Sequence, residues 1–199
     1  MFGILLLNAA LAGDYQPRDG DVLLQTSRSE QSLAIQLATG SPYSHVGVVL
    51  HVGGVAMVYE AVEPVRVVPL AGWTASGEGG HFTALRLASD PEGLAPEAAA
   101  ALKATLDGWI GLHYDPWFGW GDDRLYCSEL VWKGYERALD VTLGEPGRIR
   151  DFDLSHPAVQ QKLAERYGAA VPMDEPVVPP SALVGLPALM EVYSSYPGR

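Results

Sequence analysis

The stretch that decides the fold is Asp122-Asp-Arg-Leu-Tyr-Cys-Ser-Glu-Leu-Val-Trp132, which holds the only cysteine among 199 residues. From Cys127 to Leu139, apolar residues recur at helical spacing, which predicts a helix that begins at the cysteine. Cys127 then lies on the apolar side, and Glu129 and Lys133 lie opposite. A first-turn sulfur is close to unpaired backbone N–H groups and the positive end of the helix dipole, which favour the nucleophilic thiolate. The alternative is a cysteine that serves only as a small buried hydrophobic residue.

Composition limits the classes of partner. Apolar residues make up 48% of the chain and the formal net charge is −11, without any run of basic residues. We therefore expect a folded core and no binding of nucleic acid or of an anionic membrane surface. One cysteine excludes an internal disulfide, and the five histidines show no ligand spacing. We accordingly expect no metal site and no cofactor.

The first residues form an apolar run, Met1–Ala12, that ends in a small-x-small pattern. We assign residues 1–13 to a signal-peptide remnant or an N-terminal extension, with a native first helix or strand as a further alternative. Residues 14–199 are expected to form one domain. The run is too short to cross a bilayer, so we expect no stable membrane insertion. A periplasmic or otherwise exported location is the expectation, with the cytoplasm as the alternative.

A hairpin is predicted between His45 and Val62, because two β-rich runs flank Gly53-Gly54. A two-residue turn places residue 47 opposite residue 60. Alternation of faces then makes Glu60 a diagonal neighbour of His45, with Cβ atoms about 7 Å apart. Gly47 has no side chain to fill the space between them. A slip of one residue would move Glu60 to the other face, so the pairing depends on the loop length.

The remaining pattern predicts an α+β protein with an antiparallel sheet. A possible capping box at Ser27–Glu30 precedes the first helix, and Gly40 ends it. Residues 72–80 are glycine-rich and are predicted to form a loop. The apolar stretch from Ala188 to Tyr193 is expected to return to the core. Further strands are predicted at 22–24, 65–69 and 82–87, and further helices at 96–110 and 157–167.

A thiol hydrolase needs a thiolate, a histidine that transfers the proton, and a group that orients the histidine. Cys127, His45 and Glu60 supply these three groups. The competing interpretations are a core histidine that serves packing alone and a glutamate that faces solvent.

Several stretches of the chain resemble the YiiX-like branch of the permuted papain-like hydrolases, which are related to the NlpC-type peptidoglycan peptidases. The resemblance runs from about residue 17 to past residue 180. It is carried by Gly20-Asp-Val22 with Gln25-Thr-Ser-Arg-Ser29 and Ala34-Ile-Gln-Leu-Ala-Thr39, and by Ser41-Pro-Tyr-Ser-His-Val-Gly47, Tyr59-Glu-Ala61, Tyr114-Asp115 and Asp122–Trp132.

This resemblance implies a circularly permuted papain-like fold, in which an antiparallel sheet or half-barrel packs against the helix that carries the cysteine. It also implies Cys127 as the nucleophile, His45 as the base and Glu60 as the orienting group. The implied reaction is cleavage of an amide through an acyl-enzyme thioester. The substrate would be a small peptide, a peptidoglycan fragment or an acylated small molecule.

Two other functions stay open at this point. The same nucleophile could act on a lipid ester or thioester, as a hydrolase or an acyltransferase, and an apolar groove lined by Trp117, Phe118 and Trp120 would favour that chemistry. Alternatively, the protein could be a binding module without catalytic activity.

An oxyanion formed at the carbonyl needs hydrogen-bond donors. The backbone N–H of Cys127 is the first candidate. For a second donor or a substrate contact we consider Gln25, Tyr43, Tyr114 and Trp117.

Overall fold

The computed structural model describes residues 15–197, so the expectation for residues 1–13 lies outside the described part of the chain. Within it, six antiparallel strands form one sheet in the order β10-β5-β1-β2-β3-β4. These strands are β1 (Val22–Ser27), β2 (His45–Val52), β3 (Val55–Glu60), β4 (Arg66–Pro69), β5 (Gly77–Leu87) and β10 (Leu189–Ser194).

Five α-helices accompany the sheet in the described residues: α1 (Ser32–Thr39), α2 (Leu70–Ser76), α3 (Pro96–Asp107), α4 (Cys127–Leu139) and α5 (Pro157–Tyr167). Two short pairs complete the structure. The first is the parallel pair β6 (His113–Tyr114) and β7 (Arg124–Leu125), and the second is the antiparallel pair β8 (Gly147–Arg148) and β9 (Pro176–Val177). The mixture of helices with an antiparallel sheet confirms the predicted α+β class.

The hairpin has the predicted register. Val52 pairs with Val55 and Val48 with Tyr59, and Gly53 and Gly54 both adopt the positive φ angles that a tight hairpin turn requires. Because the loop contains two residues, Glu60 at the end of β3 falls on the same side of the sheet as His45 at the start of β2.

The sheet buries both of its faces. Leu24 and Val48 pack with Leu102 of α3 and Leu130 of α4. On the other face a second cluster contains Leu23, Val49 and Val58 from the sheet and Leu70 and Trp73 from α2. Alternate residues of β1 therefore contribute to different cores, as the period of a strand demands.

The prediction of a glycine-rich loop at 72–80 is wrong. Residues 70–76 form α2, because Leu70 and Trp73 lie one turn apart and bury one helical face against the sheet. β5 then begins at Gly77, which pairs with Ser27 of β1.

The prediction of a capping box at Ser27–Glu30 is also wrong. Ser27 completes β1, and α1 begins at Ser32 after Gln31, which provides no side-chain cap. Helix α3 ends at Asp107, short of the predicted 110, because the following turn hydrogen-bonds residue 65: Gly111 N–H donates to Val65 O at 2.9 Å.

No helix within residues 15–197 combines the length and the apolar character needed to cross a membrane.

Candidate active site

Cys127 is the first residue of α4, and its free thiol is 4% exposed. The helix start is tied to a distant segment of the chain. Ser128 Oγ donates to Val178 O at 2.5 Å, and Val178 N–H donates to the Tyr126 hydroxyl at 3.1 Å. These bonds hold the backbone around the sulfur in one position.

His45 and Glu60 form the predicted pair. The distance from His45 Nε2 to Glu60 Oε2 is 2.6 Å, and both side chains are buried. Arg66 lies opposite Glu60 in the β3–β4 register and donates from Nε to Glu60 Oε1 at 2.8 Å. Burial alone would raise the pKa of Glu60, but the hydrogen bonds from His45 and Arg66 lower it below its usual value. Glu60 therefore remains ionised behind the imidazole.

Cys127 acts on His45 through its effect on the imidazole pKa. Burial would lower the pKa of His45, yet the interactions with Cys127 and Glu60 outweigh burial and raise that pKa to about 9. Because Nε2 contacts Glu60, Nδ1 is the ring nitrogen that remains for another partner. The structure thus places His45 in contact with Glu60 and within electrostatic reach of Cys127.

Trp73 is a site residue that the sequence did not reveal. Its indole stacks on the His45 ring with centroids 5.9 Å apart and planes inclined by 27°. Gly47 lies beside this contact. A Cβ at that position would lie 2.5 Å from Val58 Cγ1 and 2.9 Å from the Tyr59 carbonyl oxygen, and 3.4 Å from Trp73 Nε1. The space predicted to be open beside Gly47 is therefore bordered by β3 and by the edge of the tryptophan.

Of the donor candidates, Gln25 lies nearest to the histidine. It pairs with His45 across β1 and β2 and is 1% exposed, but its amide nitrogen donates to Ser76 Oγ at 3.3 Å. Tyr43 is fully buried, and its hydroxyl hydrogen-bonds Thr83 Oγ1 at 2.7 Å. We accordingly assign Tyr43 a role in packing rather than in the cleft.

Tyr114 lines the cavity at Cys127. Its hydroxyl accepts a hydrogen bond from Gln31 Nε2 at 2.7 Å, which leaves its own O–H available to donate. Burial and the neighbouring Cys127 raise the pKa of Tyr114, so the phenol stays protonated at neutral pH. Arg166 holds Gln31 in turn through a 2.8 Å bond to its side-chain oxygen.

Trp117 lies farther out. It is 49% exposed and lines an open depression together with Tyr114 and Arg166. Trp117 does not line the cavity at the cysteine, whereas the neighbouring residue Phe118 does line it.

Two hollows adjoin at the site, and we call them the apolar cavity and the polar cleft. The apolar cavity has a volume of about 110 Å³ and is lined by Cys127 together with Ala34, Ala38, Phe118, Ile149, Leu163 and Val178, among others. The polar cleft is lined by His45 together with Ser27, Arg28, Ser44, Glu60 and Arg66, among others. Gln31 and Tyr114 line both hollows, so they lie where the cavity at Cys127 adjoins the cleft at His45.

The charged residues of α4 nearest to Cys127 do not face solvent. Glu129 and Lys133 are 0% and 2% exposed and form an ion pair at 2.7 Å. Lys133 Nζ also donates to the carbonyl of Gly121 at 2.6 Å, and Glu129 Oε2 accepts from Tyr126 N–H at 3.2 Å. This pair fastens the loop that precedes β7 to the first two turns of α4.

No cluster of three histidine, cysteine, aspartate or glutamate side chains in residues 15–197 has the geometry to hold a metal ion. Cys127 and His45 offer one sulfur and one ring nitrogen, and the Glu60 carboxylate is taken by His45 and Arg66. The donor set therefore does not fit a resident metal.

A helix that begins with a cysteine, packed on an antiparallel sheet that carries a histidine, is the arrangement of the papain-like fold. The chain belongs to the C92 family of permuted papain-like amidases, the YaeF/YiiX type, whose family model matches residues 16–193. The fold predicted from the sequence is thereby confirmed, including its permutation.

Two similar proteins support this membership. The chain is 44% identical to the YiiX protein of Escherichia coli K12 over 192 residues, which are 96% of this chain and 94% of that protein. It also matches the crystal structure of the metalloprotein YiiX from Escherichia coli O157:H7 with a TM-score of 0.87 and 45% identity, over 92% of this chain and all of the other.

Proposed function

We propose that this protein is a cysteine amidase in which Cys127 is the nucleophile, His45 transfers the proton and Glu60 orients the imidazole. The observation that carries the proposal is the environment of His45, whose ring contacts the Glu60 carboxylate at 2.6 Å and whose pKa is raised by Cys127 and Glu60 together. A buried histidine that served packing alone would not need both partners.

The reaction has two halves. The His45 imidazolium stabilises the Cys127 thiolate, which attacks the amide carbonyl carbon and forms a C–S bond. As the C–N bond breaks, His45 gives its proton to the departing nitrogen, and the product is a thioester plus an amine. His45 then takes a proton from water, whose oxygen attacks the thioester, and the products are a carboxylic acid and the free thiol.

Two donors serve the oxyanion. The backbone N–H of Cys127 is at the N-terminus of α4, where no helical acceptor uses it. The second donor is the Tyr114 hydroxyl, because Gln31 fixes its oxygen as an acceptor and directs its O–H elsewhere. Two such donors beside a developing negative charge are the usual source of a large rate enhancement.

The relative from Escherichia coli O157:H7 is called a metalloprotein. The side chains near Cys127 do not supply a third donor, as described above, so we assign no step to a metal ion.

A second candidate function is favoured by the apolar cavity beside the sulfur. Its lining is almost entirely hydrocarbon, which suits the acyl part of an ester or thioester as well as that of an amide. Of the aromatic run considered for this role, only Phe118 lines the cavity. A small peptide, a peptidoglycan fragment and an acylated small molecule remain the substrate classes that we propose.

Mass spectrometry of the intact protein tests the mechanism. After incubation with a panel of amides and esters, the wild type is expected to gain the mass of an acyl group on Cys127, and Cys127→Ala is expected to gain none while keeping its melting temperature. His45→Ala is expected to lose turnover with the fold intact. Full activity of Cys127→Ala would refute the mechanism, and an unreactive thiol in the wild type would support a binding module.

A further inference from the structure

The two hollows differ in chemistry, and the two catalytic groups divide between them. Cys127 lines the apolar cavity and not the polar cleft, whereas His45 lines the polar cleft and not the apolar cavity. Provided that the proposed function holds, this division assigns each of the two parts of a substrate to one of the hollows.

The acyl part of the substrate becomes bonded to the sulfur and therefore lies in the apolar cavity. The leaving nitrogen receives its proton from His45 and therefore departs on the side where the imidazole is exposed, which is the polar cleft. The amide bond lies beside the hydrogen-bonded side chains of Gln31 and Tyr114, the two residues that the hollows share.

The charges of the polar cleft indicate what the leaving amine carries. Its two acidic residues are already paired: Glu60 contacts His45 and Arg66, and Glu63 accepts from His113 and from the Tyr114 N–H at 2.7 and 3.0 Å. Arg28 is exposed, and within residues 15–197 its guanidinium has no hydrogen bond, ion pair or ring contact. The unmatched charge in the cleft is therefore positive.

We infer that the polar cleft is the leaving-group subsite and that it selects an amine bearing an anionic group, a carboxylate or a phosphate, which Arg28 binds. A guanidinium is suited to this contact because its parallel N–H groups match two oxygens of either anion.

The apolar cavity receives the other half of the substrate. Its lining is almost entirely hydrocarbon, so it suits an apolar acyl group. The substrate class is an apolar acyl group joined by an amide to an amine that bears an anionic group.

The experiment compares three amides with the same acyl group: N-butyrylglycine, N-butyryl-2-aminoethyl phosphate and N-butyrylglycinamide. In the first two substrates the leaving group bears a carboxylate or a phosphate. In the third the leaving group bears an uncharged carboxamide instead. The ratio of kcat/KM for an anionic substrate to that for the neutral one is measured in the wild type, Arg28→Gln and Arg18→Gln. Arg18 is a matched control because it is also exposed, yet it precedes β1 at the end opposite to Arg28.

In the wild type at least one anionic amide is expected to exceed the neutral amide by about threefold to tenfold, and Arg28→Gln is expected to remove that preference. Arg18→Gln should keep it. The preference should shrink in 1 M salt, where the screening length falls to about 3 Å.

Equal rates for anionic and neutral amides, or a preference unchanged by Arg28→Gln, would refute the subsite while leaving a Cys127-dependent amidase in place. Absence of Cys127-dependent cleavage for every amide would refute the proposed amidase as well.

Discussion

The imidazole of His45 lies almost parallel to the indole of Trp73, with the ring centroids 5.9 Å apart and both side chains buried. The aromatic face is electron-rich, so a stacked imidazolium is stabilised over the neutral ring. The indole also closes one side of the imidazole and thereby limits its rotation away from Cys127. We regard Trp73 as a positioning residue that acts through His45.

Replacing Trp73 with leucine should lower the pKa of His45 from its value of about 9 and reduce kcat/KM by about tenfold. The expected shift is about half a unit to one unit, which corresponds to a cation–π energy of about 0.5–1.5 kcal/mol. NMR titration of the ring and a pH–rate profile measure both effects. Loss of the indole also removes buried area, so Trp73→Phe serves as the control that keeps an aromatic face. If the pKa of His45 were the same in the wild type, Trp73→Leu and Trp73→Phe, the contact between the two rings would serve packing alone.

Glu60→Gln should reduce kcat by about a hundredfold or more, because the amide removes the negative charge that favours the imidazolium and can also fix the wrong tautomer. Substrate KM should change less than kcat, since the Glu60 carboxylate is already occupied by His45 and Arg66. Arg66→Gln is the matched control, because it removes the partner of Glu60 Oε1 and keeps the 2.6 Å contact between Glu60 and His45. We expect a loss below tenfold for Arg66→Gln. Equal losses in the two variants would contradict the orienting role of Glu60.

The His–Glu pairing could be predicted from sequence because it depends only on local geometry. Gly53-Gly54 determines the hairpin turn, the turn determines the register, and the register places Glu60 beside His45. The helix start at Cys127 was equally local. Trp73 could not be found in this way, because it lies in a glycine-rich stretch whose helix forms only when Leu70 and Trp73 bury against the sheet.

Contacts between distant parts of the chain were also beyond prediction. Arg166 binds Gln31 across 135 residues, and no pattern in either segment indicates the other. The burial of Glu129 and Lys133 could not be predicted from helical periodicity for a related reason. Their side of α4 is polar in sequence, but the loop at Trp120–Asp122 folds over it and supplies carbonyl and carboxylate oxygens to Lys133.

Glu129 should make the protein less stable as the pH rises. Burial raises the pKa of Glu129 to about 7, against the opposing effect of Lys133. Because its pKa in the folded state exceeds that in the unfolded state, the folded protein binds more protons between about pH 4.5 and pH 7. The free energy of unfolding should therefore decrease across this range.

Urea denaturation at half-unit intervals of pH measures this slope. Glu129→Gln is expected to flatten it from pH 4.5 to 7, because the amide does not titrate. Glu165→Gln is the control, since Glu165 is exposed and lies on α5. His45 contributes a separate decrease at higher pH: its stabilising effect is complete below about pH 6.5 and is lost as the pH rises through about 9. A wild-type slope of the opposite sign in the lower range would contradict the assignment to Glu129.

Tyr114→Phe should separate transition-state stabilisation from binding. The substitution keeps the ring that lines both hollows and removes only the O–H proposed to donate to the oxyanion. We expect kcat to fall by about a hundredfold with KM nearly constant, which is the typical cost of losing one such donor. Alkylation of Cys127 by iodoacetamide should proceed as in the wild type, because displacement from a saturated carbon forms no oxyanion. Gln31→Leu, which removes the bond that holds the Tyr114 oxygen, should give a smaller loss in kcat. If Tyr114→Phe raised KM and left kcat unchanged, the hydroxyl would be a ground-state contact, and the second donor would have to come from another group such as the amide of Gln25.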